Sequence, residues 1–436
     1  MNESNDCPEL RHKPESQIST GPRIVFHAGL FVLCLLLLYS RRPDAVLNAQ
    51  FYAEDGARWY RDAYELGWRC LVIPETGYLQ TVSRLIALFA LLFPFASAPL
   101  VMNLFALSIQ ILPVNLFLSR RFDGIPLFAR LFGSLLYLGL PNSIEIHANT
   151  TNIQWHLGLV CVLIHLGKTP QSRLWKLTDV CALALLAFDS PLAFVLLPIA
   201  AMVWRRERSR ARLVHLTALI PGAIVQGLVL FLSHTHGRES TAIGASAARL
   251  AGILGGQVFL SSVAGARTLA LLFLSGDRHV LIWLQVTALL LGIGVMLASL
   301  RGAPYPVRLF LLFATGVLIL ALSHPIAGPD LNFPQWEYLQ LPGRSSRYYF
   351  FPILAFYVAL FSLVLRPDQG PNRVFRYLAM AILLAVPIGV WRDWNYPRYP
   401  DLHFNEYAKE FERAKPGTSL TIPIVPVGWQ MQVVKR

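Results

Sequence analysis

Uninterrupted apolar stretches recur along most of this chain, and several, Ile24 to Ser40 among them, approach the length needed to cross a lipid bilayer. An α-helix rises about 1.5 Å per residue, so roughly 20 apolar residues cross a hydrocarbon layer about 30 Å thick. Hydrocarbon offers no hydrogen bonds, so a backbone that enters it must satisfy its own amides and carbonyls as helix or closed barrel. Runs of this length select the helix. With 55% hydrophobic and only 14% charged residues, the chain reads as an all-α polytopic membrane protein rather than a soluble multidomain one. The leader before Ile24 is polar and basic but lacks a small-residue cleavage site behind the apolar run, so 24–40 is read as a retained first span.

The formal charge of +13 comes from 38 Lys and Arg against 25 acids. In a membrane chain this excess points to anionic headgroups and phosphorylated lipids, and no nucleic-acid motif accompanies it. Cys7, Cys34, Cys70, Cys161 and Cys181 are scattered without a CxxC pair, which excludes a disulfide framework or a thiolate metal site as the organising feature.

Four regions follow. Residues 1–23 form a cytoplasmic tail, 24–205 a first membrane module with an outer loop at 41–98, 206–391 a second membrane region, and 392–436 a small outer segment. Further spans are read at 99–119, 125–141, 153–167, 177–188, 191–204, 213–233, 280–300, 306–323, 347–365 and 375–391. With the first, that makes roughly eleven crossings. The apolar run 79–95 is short, begins polar and contains Arg84. Treating it as a surface helix puts Arg120-Arg121, Lys168–Lys176, Arg205–Arg212, Arg301–Arg308 and Arg366–Arg376 on one side, as the positive-inside tendency requires. The segment 60–67 reads as a second helix lying on the membrane, and 248–275, broken by Gly255-Gly256 and Arg267, as a re-entrant or surface helix. The β-branched, proline-bearing end at 419–433 suggests short edge strands.

Polar groups then gather on the outer face. Glu54-Asp55 opens the first loop, and carboxylates at a span mouth are expensive to desolvate and mark function by default. Glu145, His147 and Asn149 follow the third span, Asp189 lies between two spans, and His324, Arg344, Arg347 and Tyr348 border the tenth. A carboxylate facing arginines suits removal of a proton from an acceptor hydroxyl while guanidinium groups stabilise a departing phosphate. Structural alternatives stand beside each: Asp55 as an N-cap, Glu145 as a solvated loop residue, the arginines as interfacial anchors, Tyr348 and Tyr349 as interfacial aromatics, and His147, His156, His234 and His236 as plain polar residues rather than metal ligands.

The order of these parts resembles the GT-C superfamily of polytopic membrane glycosyltransferases. The resemblance runs over roughly the first 200 residues: a first span, the acidic pair within Phe51–Tyr60, two juxtamembrane helices, a span ending at Ser119–Gly124, then Leu140-Pro141 followed by Glu145. Later, Arg347-Tyr348 and the outer tail look similar. The family often carries Asp at the second acidic position, where this chain has Glu145 with His147 nearby. The resemblance implies a bundle of about 11 spans and an inverting hexosyl or pentosyl transferase using a polyprenyl-phosphate sugar. The acceptor would be a lipid-linked or cell-envelope glycan, on the periplasmic side of a bacterial inner membrane. Asp55 or Glu54 would be the base. Arg344 and Arg347 would hold the donor phosphate, with Tyr348, Arg84, His324 and Asn149 in the substrate site. Glu145 and His147 would orient the acceptor or, with Asn149, hold a divalent metal ion of the kind some members need. The main alternative is a secondary transporter or flippase, against which stand acids crowded on one face and the lack of a duplicated half.

Overall fold

The structure, a computed structural model, describes residues 20–233, 242–326, 333–366 and 373–436. Most of the tail at 1–23 lies outside the described residues, as do His234 and His236. Among the described residues, eight helices are long and apolar enough to cross a membrane, and the protein is a multi-pass helical one.

The helices used below are α1 (Thr20–Arg41), α2 (Thr81–Ala90), α3 (Ala98–Phe117), α4 (Leu127–Leu138), α5 (Ile153–Leu166), α6 (Arg173–Asp189), α7 (Leu192–Glu207), α8 (Arg210–Leu232), α9 (Ala247–Ala264), α10 (Arg278–Leu300), α11 (Tyr305–Ser323), α12 (Phe350–Val364), α13 (Arg373–Asp393) and α14 (Phe404–Arg413). Two antiparallel strands, β1 (Ser419–Ile424) and β2 (Trp429–Val434), close the chain where sequence suggested edge strands.

Polar contacts sort the helix ends into two layers. One is arginine-rich. Arg121 grips Asp179 through both guanidinium nitrogens at 2.7 and 2.9 Å, and Arg212 donates to the carbonyls of Ile164 (2.9 Å) and Gly167 (2.7 Å). In the same layer Arg366 donates to the carbonyls of Ser299 and Arg301, and Arg206 lies over the Tyr305 ring. We call this the basic end. The opposite layer contains the acidic pair and is called the site end. Here Arg41 ties α1 to the carbonyls of Leu138 closing α4, of Leu140 just past it and of Asp393 closing α13. Among the described residues, the ends of α1, α3 to α8 and α10 to α13 alternate between the two layers.

Four of these are shorter than a free-standing span: α4 has 12 residues, α5 14, α6 17 and α7 16. The expected span 125–141 shrinks because Pro126 precedes its first helical residue, and Gly139-Leu140-Pro141 leads it into an irregular loop. That loop is buried in protein rather than lipid, where its polar backbone finds partners. Helix α12 lies at the centre, with 78% of its span window buried, against 17% for α10 on the periphery.

The two uncertain segments stay at the site end. Helix α2 has only 10 residues, too few to cross. It is pinned by Asp189, whose carboxylate accepts from the Val82 amide (2.7 Å), and by Gln226, which bridges Leu79 and Phe188. Asp189 thus caps, from another helix, the amides α2 leaves unsatisfied. Helix α9 has the length and composition of a span, yet both its ends are tied to site-end residues. Arg249 pairs with Glu337 (2.7 Å), and the Ala266 amide just past it donates to Asp393 (2.7 Å).

Candidate functional site

Past a short helix at Asp44–Leu47 the chain reaches Tyr52, Ala53 turns it at φ +43, and Asp55–Tyr60 then forms a π-helix continued by the helix Arg61–Leu66. Single-turn π-helices concentrate at functional sites because they displace side chains from ordinary helical register. Here the two neighbouring acids part company.

Asp55 points inward and is 1% exposed. Its Oδ1 accepts from the Thr150 hydroxyl, the Thr151 amide and the Thr151 hydroxyl, each at 2.7 Å, and its Oδ2 from the Thr150 amide at 2.9 Å. Burial pushes its carboxyl up to about 6, with those four donors pulling the other way. Asp55 is not an N-cap of its own helix: it anchors the loop that leads into α5. Glu54 is half-buried and lies within reach of both Thr151 and Arg347. Its carboxyl is raised by burial, opposed by Arg347, and it also feels Glu75.

Arg347 comes from the turn that starts α12. Its guanidinium pairs with Glu145, its amide donates to the same carboxylate (3.2 Å), its other nitrogen reaches the Ile326 carbonyl, and it stacks 4.7 Å from the Tyr348 ring. Glu54 and Glu145 therefore both face Arg347, in a half-buried polar group that we call the bowl. Tyr52 and Tyr399, whose rings are 5.8 Å apart, flank it on one side; Tyr348 against Trp155 and Tyr78 against Gln154 flank it on the other. Arg58 and Glu75 form a more exposed ion pair (3.2 Å) beside Glu54. Burial raises Tyr399 to about 12 and raises Tyr78 as well, so these hydroxyls stay protonated; they accept from Arg42 and Gln154.

The other candidates sit elsewhere. Arg344 is exposed, 5.9 Å from the Tyr338 ring, and His324 is exposed at the end of α11, two residues before Ile326. Arg84 is fully buried, paired with Asp62 (2.9 Å) and stacked on Trp59, inside the loop assembly rather than at its surface. Asn149 donates to the carbonyls of Glu145 and His147 and accepts from the Asn152 amide, which shapes the loop. His147 is buried against Tyr396, and burial beside Arg41 and Arg42 depresses its imidazole well below the usual range. Glu145, His147 and Asn149 thus do not converge, and no cluster of three or more His, Cys, Asp or Glu suited to a metal occurs among the described residues.

Sequence reasoning missed the Thr150-Thr151 anchor, the Arg58–Glu75 pair and the tyrosine walls. The adjacent Tyr52 and the run Asn149-Thr-Thr were the available signals. No protein-family model and no curated protein matches the chain.

Proposed function

We propose that the protein transfers a sugar from a polyprenyl-phosphate donor to a glycan or glycolipid acceptor, as an inverting glycosyltransferase of GT-C type. Glu54 is the base. It takes the proton of an acceptor hydroxyl as that oxygen attacks the anomeric carbon, and the bond to the donor phosphate breaks in the same displacement. Polyprenyl phosphate leaves as an anion beside Arg347, whose planar fork of donors matches phosphate oxygens. Asp55, with both oxygens occupied, holds the Thr150-Thr151 loop and does not touch substrate. Arg344, at the rim, meets the donor on its way in.

One observation carries this reading: a half-buried carboxylate from the start of the chain and a guanidinium from near its end border one bowl, opposite the arginine-rich layer. By the positive-inside tendency the basic end faces the cytosol, so the bowl opens outward, where lipid-linked donors serve envelope assembly. The test is the purified protein in vesicles with a panel of polyprenyl-phosphate sugars, read by release of free polyprenyl phosphate. Glu54→Gln is expected to lower turnover at least ~100-fold, the usual minimum worth of a positioned base, with donor KM little changed. Wild-type turnover in that variant removes the assignment.

A further inference from the structure

The turn that aims Glu54 is held from the far end of the chain. Ala53, directly before it, sits at φ +43, a left-handed conformation that costs an L-residue energy unless its surroundings enforce it. A local bond from the Asp55 amide to the Tyr52 carbonyl (2.8 Å) closes the turn, and a distant segment pins Ala53 itself. Its amide donates to the Val425 carbonyl (2.5 Å), and the Val425 amide donates back to the Phe51 carbonyl (3.0 Å), so Tyr52 forms an isolated parallel bridge with Val425 just past β1. Behind the turn, a side chain at Gly56 would meet Phe51 Cβ at 2.7 Å and Ile424 Cδ1 at 3.3 Å, and Ile424 is fully buried. The hairpin is fastened to the same loop: the Val434 amide donates to Glu65, the Arg436 amide to the Tyr64 hydroxyl, and Phe404 and Phe411 pack on Phe95.

We infer that Ile424 and Val425 are positioning residues for the site, forming a carboxyl-terminal strap that fixes Ala53 in its turn and so aims the Glu54 carboxylate into the bowl. The inference rests on the sugar-transfer reading for its catalytic consequence, and on geometry alone for the strap. Glu54 is faced by Arg347 from the start of α12, by Glu75 with its partner Arg58 from the loop before α2, by Glu145 across Arg347, and by Tyr52 and Thr151. Arg347, Glu75, Glu145 and Thr151 come from elements outside the strapped segment, whereas Tyr52 moves with it. What changes is solvent access, so the raised carboxyl of Glu54 falls toward the ordinary range.

The experiment uses the full chain in lipid nanodiscs: wild type, Ile424→Val, Ile424→Ala and Val425→Pro, the last lacking the amide that donates to Phe51. Hydrogen exchange over residues 51–56 is expected to speed up on the order of tenfold in the last two, with Ile424→Val near wild type and α5 unchanged as the folding control. In the transfer assay those two variants lose about 100-fold in kcat with donor KM held, as a misplaced reacting group does, and the acid limb of the pH profile moves to lower pH. Unchanged exchange at 51–56 overturns the strap. Faster exchange with unaltered kcat, or lost activity with an unmoved pH profile, overturns its positioning role. A wild type without transfer whose 51–56 segment is released by Ile424→Ala overturns the sugar-transfer reading and leaves the strap standing.

Discussion

Replacing Asp55 by Asn separates two contributions of one buried carboxyl. The folded group binds its proton more tightly than the unfolded one, because burial raises it from 3.8 to about 6. Protonation therefore favours the folded state: the contribution is complete below pH 3.8 and is lost as pH rises through about 6. That interval corresponds to ~3 kcal/mol, of which ~2 kcal/mol is regained by pH 4. Asn carries no such dependence. Its oxygen can keep the three donors on Oδ1, but its amide confronts the Thr150 N–H, and one orphaned buried donor costs about 1–3 kcal/mol at every pH. At pH 7.5 the two effects nearly cancel and Asp55→Asn is close to wild type in stability. At pH 4 the wild type leads by ~2 kcal/mol more. The measurement is unfolding in mixed micelles followed by tryptophan emission, to which the fully buried Trp59 contributes, compared as wild type minus variant at the two pH values. All other titrating groups are common to both proteins and drop out of that difference. A difference that does not change with pH, or that shrinks at pH 4, refutes the reasoning.

Gly222→Ala places a methyl carbon 2.6 Å from the backbone and Cβ of Ala187, where α6 and α8 cross, and is expected to cost about 1–3 kcal/mol, read as a lowered thermal midpoint. Arg121→Leu strands Asp179, whose side chain is 3% exposed, and is expected to cost about 3–5 kcal/mol; Arg121→Leu with Asp179→Leu recovers much of that in the same assay. Because burial raises the Glu54 carboxyl, the acid limb of kcat for sugar transfer is expected above pH 4.5, and a limb at or below that value speaks against Glu54 as the base.

Much of the layout was legible in the residues because it follows from solvent. Long apolar runs must be helices, and the side carrying Arg120, Arg205 and Arg301 fixes the parity. That parity kept 79–95 and 248–275 from crossing, and the ties of α2 to Asp189 and of α9 to Glu337 and Asp393 agree with it. The division of labour between Glu54 and Asp55 was not legible. It depends on which carboxylate takes up the donors of Thr150 and the Thr151 amide, almost a hundred positions away, and on a π-helical turn that no local pattern announces. Arg84 and His147 misled for the same reason. A polar residue near a span mouth reads as solvent-facing until its partner is known, and Asp62 and Tyr396 are those partners. The bridge between Tyr52 and Val425 has no sequence signal, since two residues of backbone pairing leave no periodicity to detect.

The enclosure of α12 bears on how such a chain is made. The most enclosed of the span-length helices is synthesised after α10 and α11, which pack on it, so its slot is filled only when residues 346–364 arrive. Arg347 enters with that helix, and Val425 later still. A chain that stops short of these residues therefore lacks both its central helix and the assembled bowl.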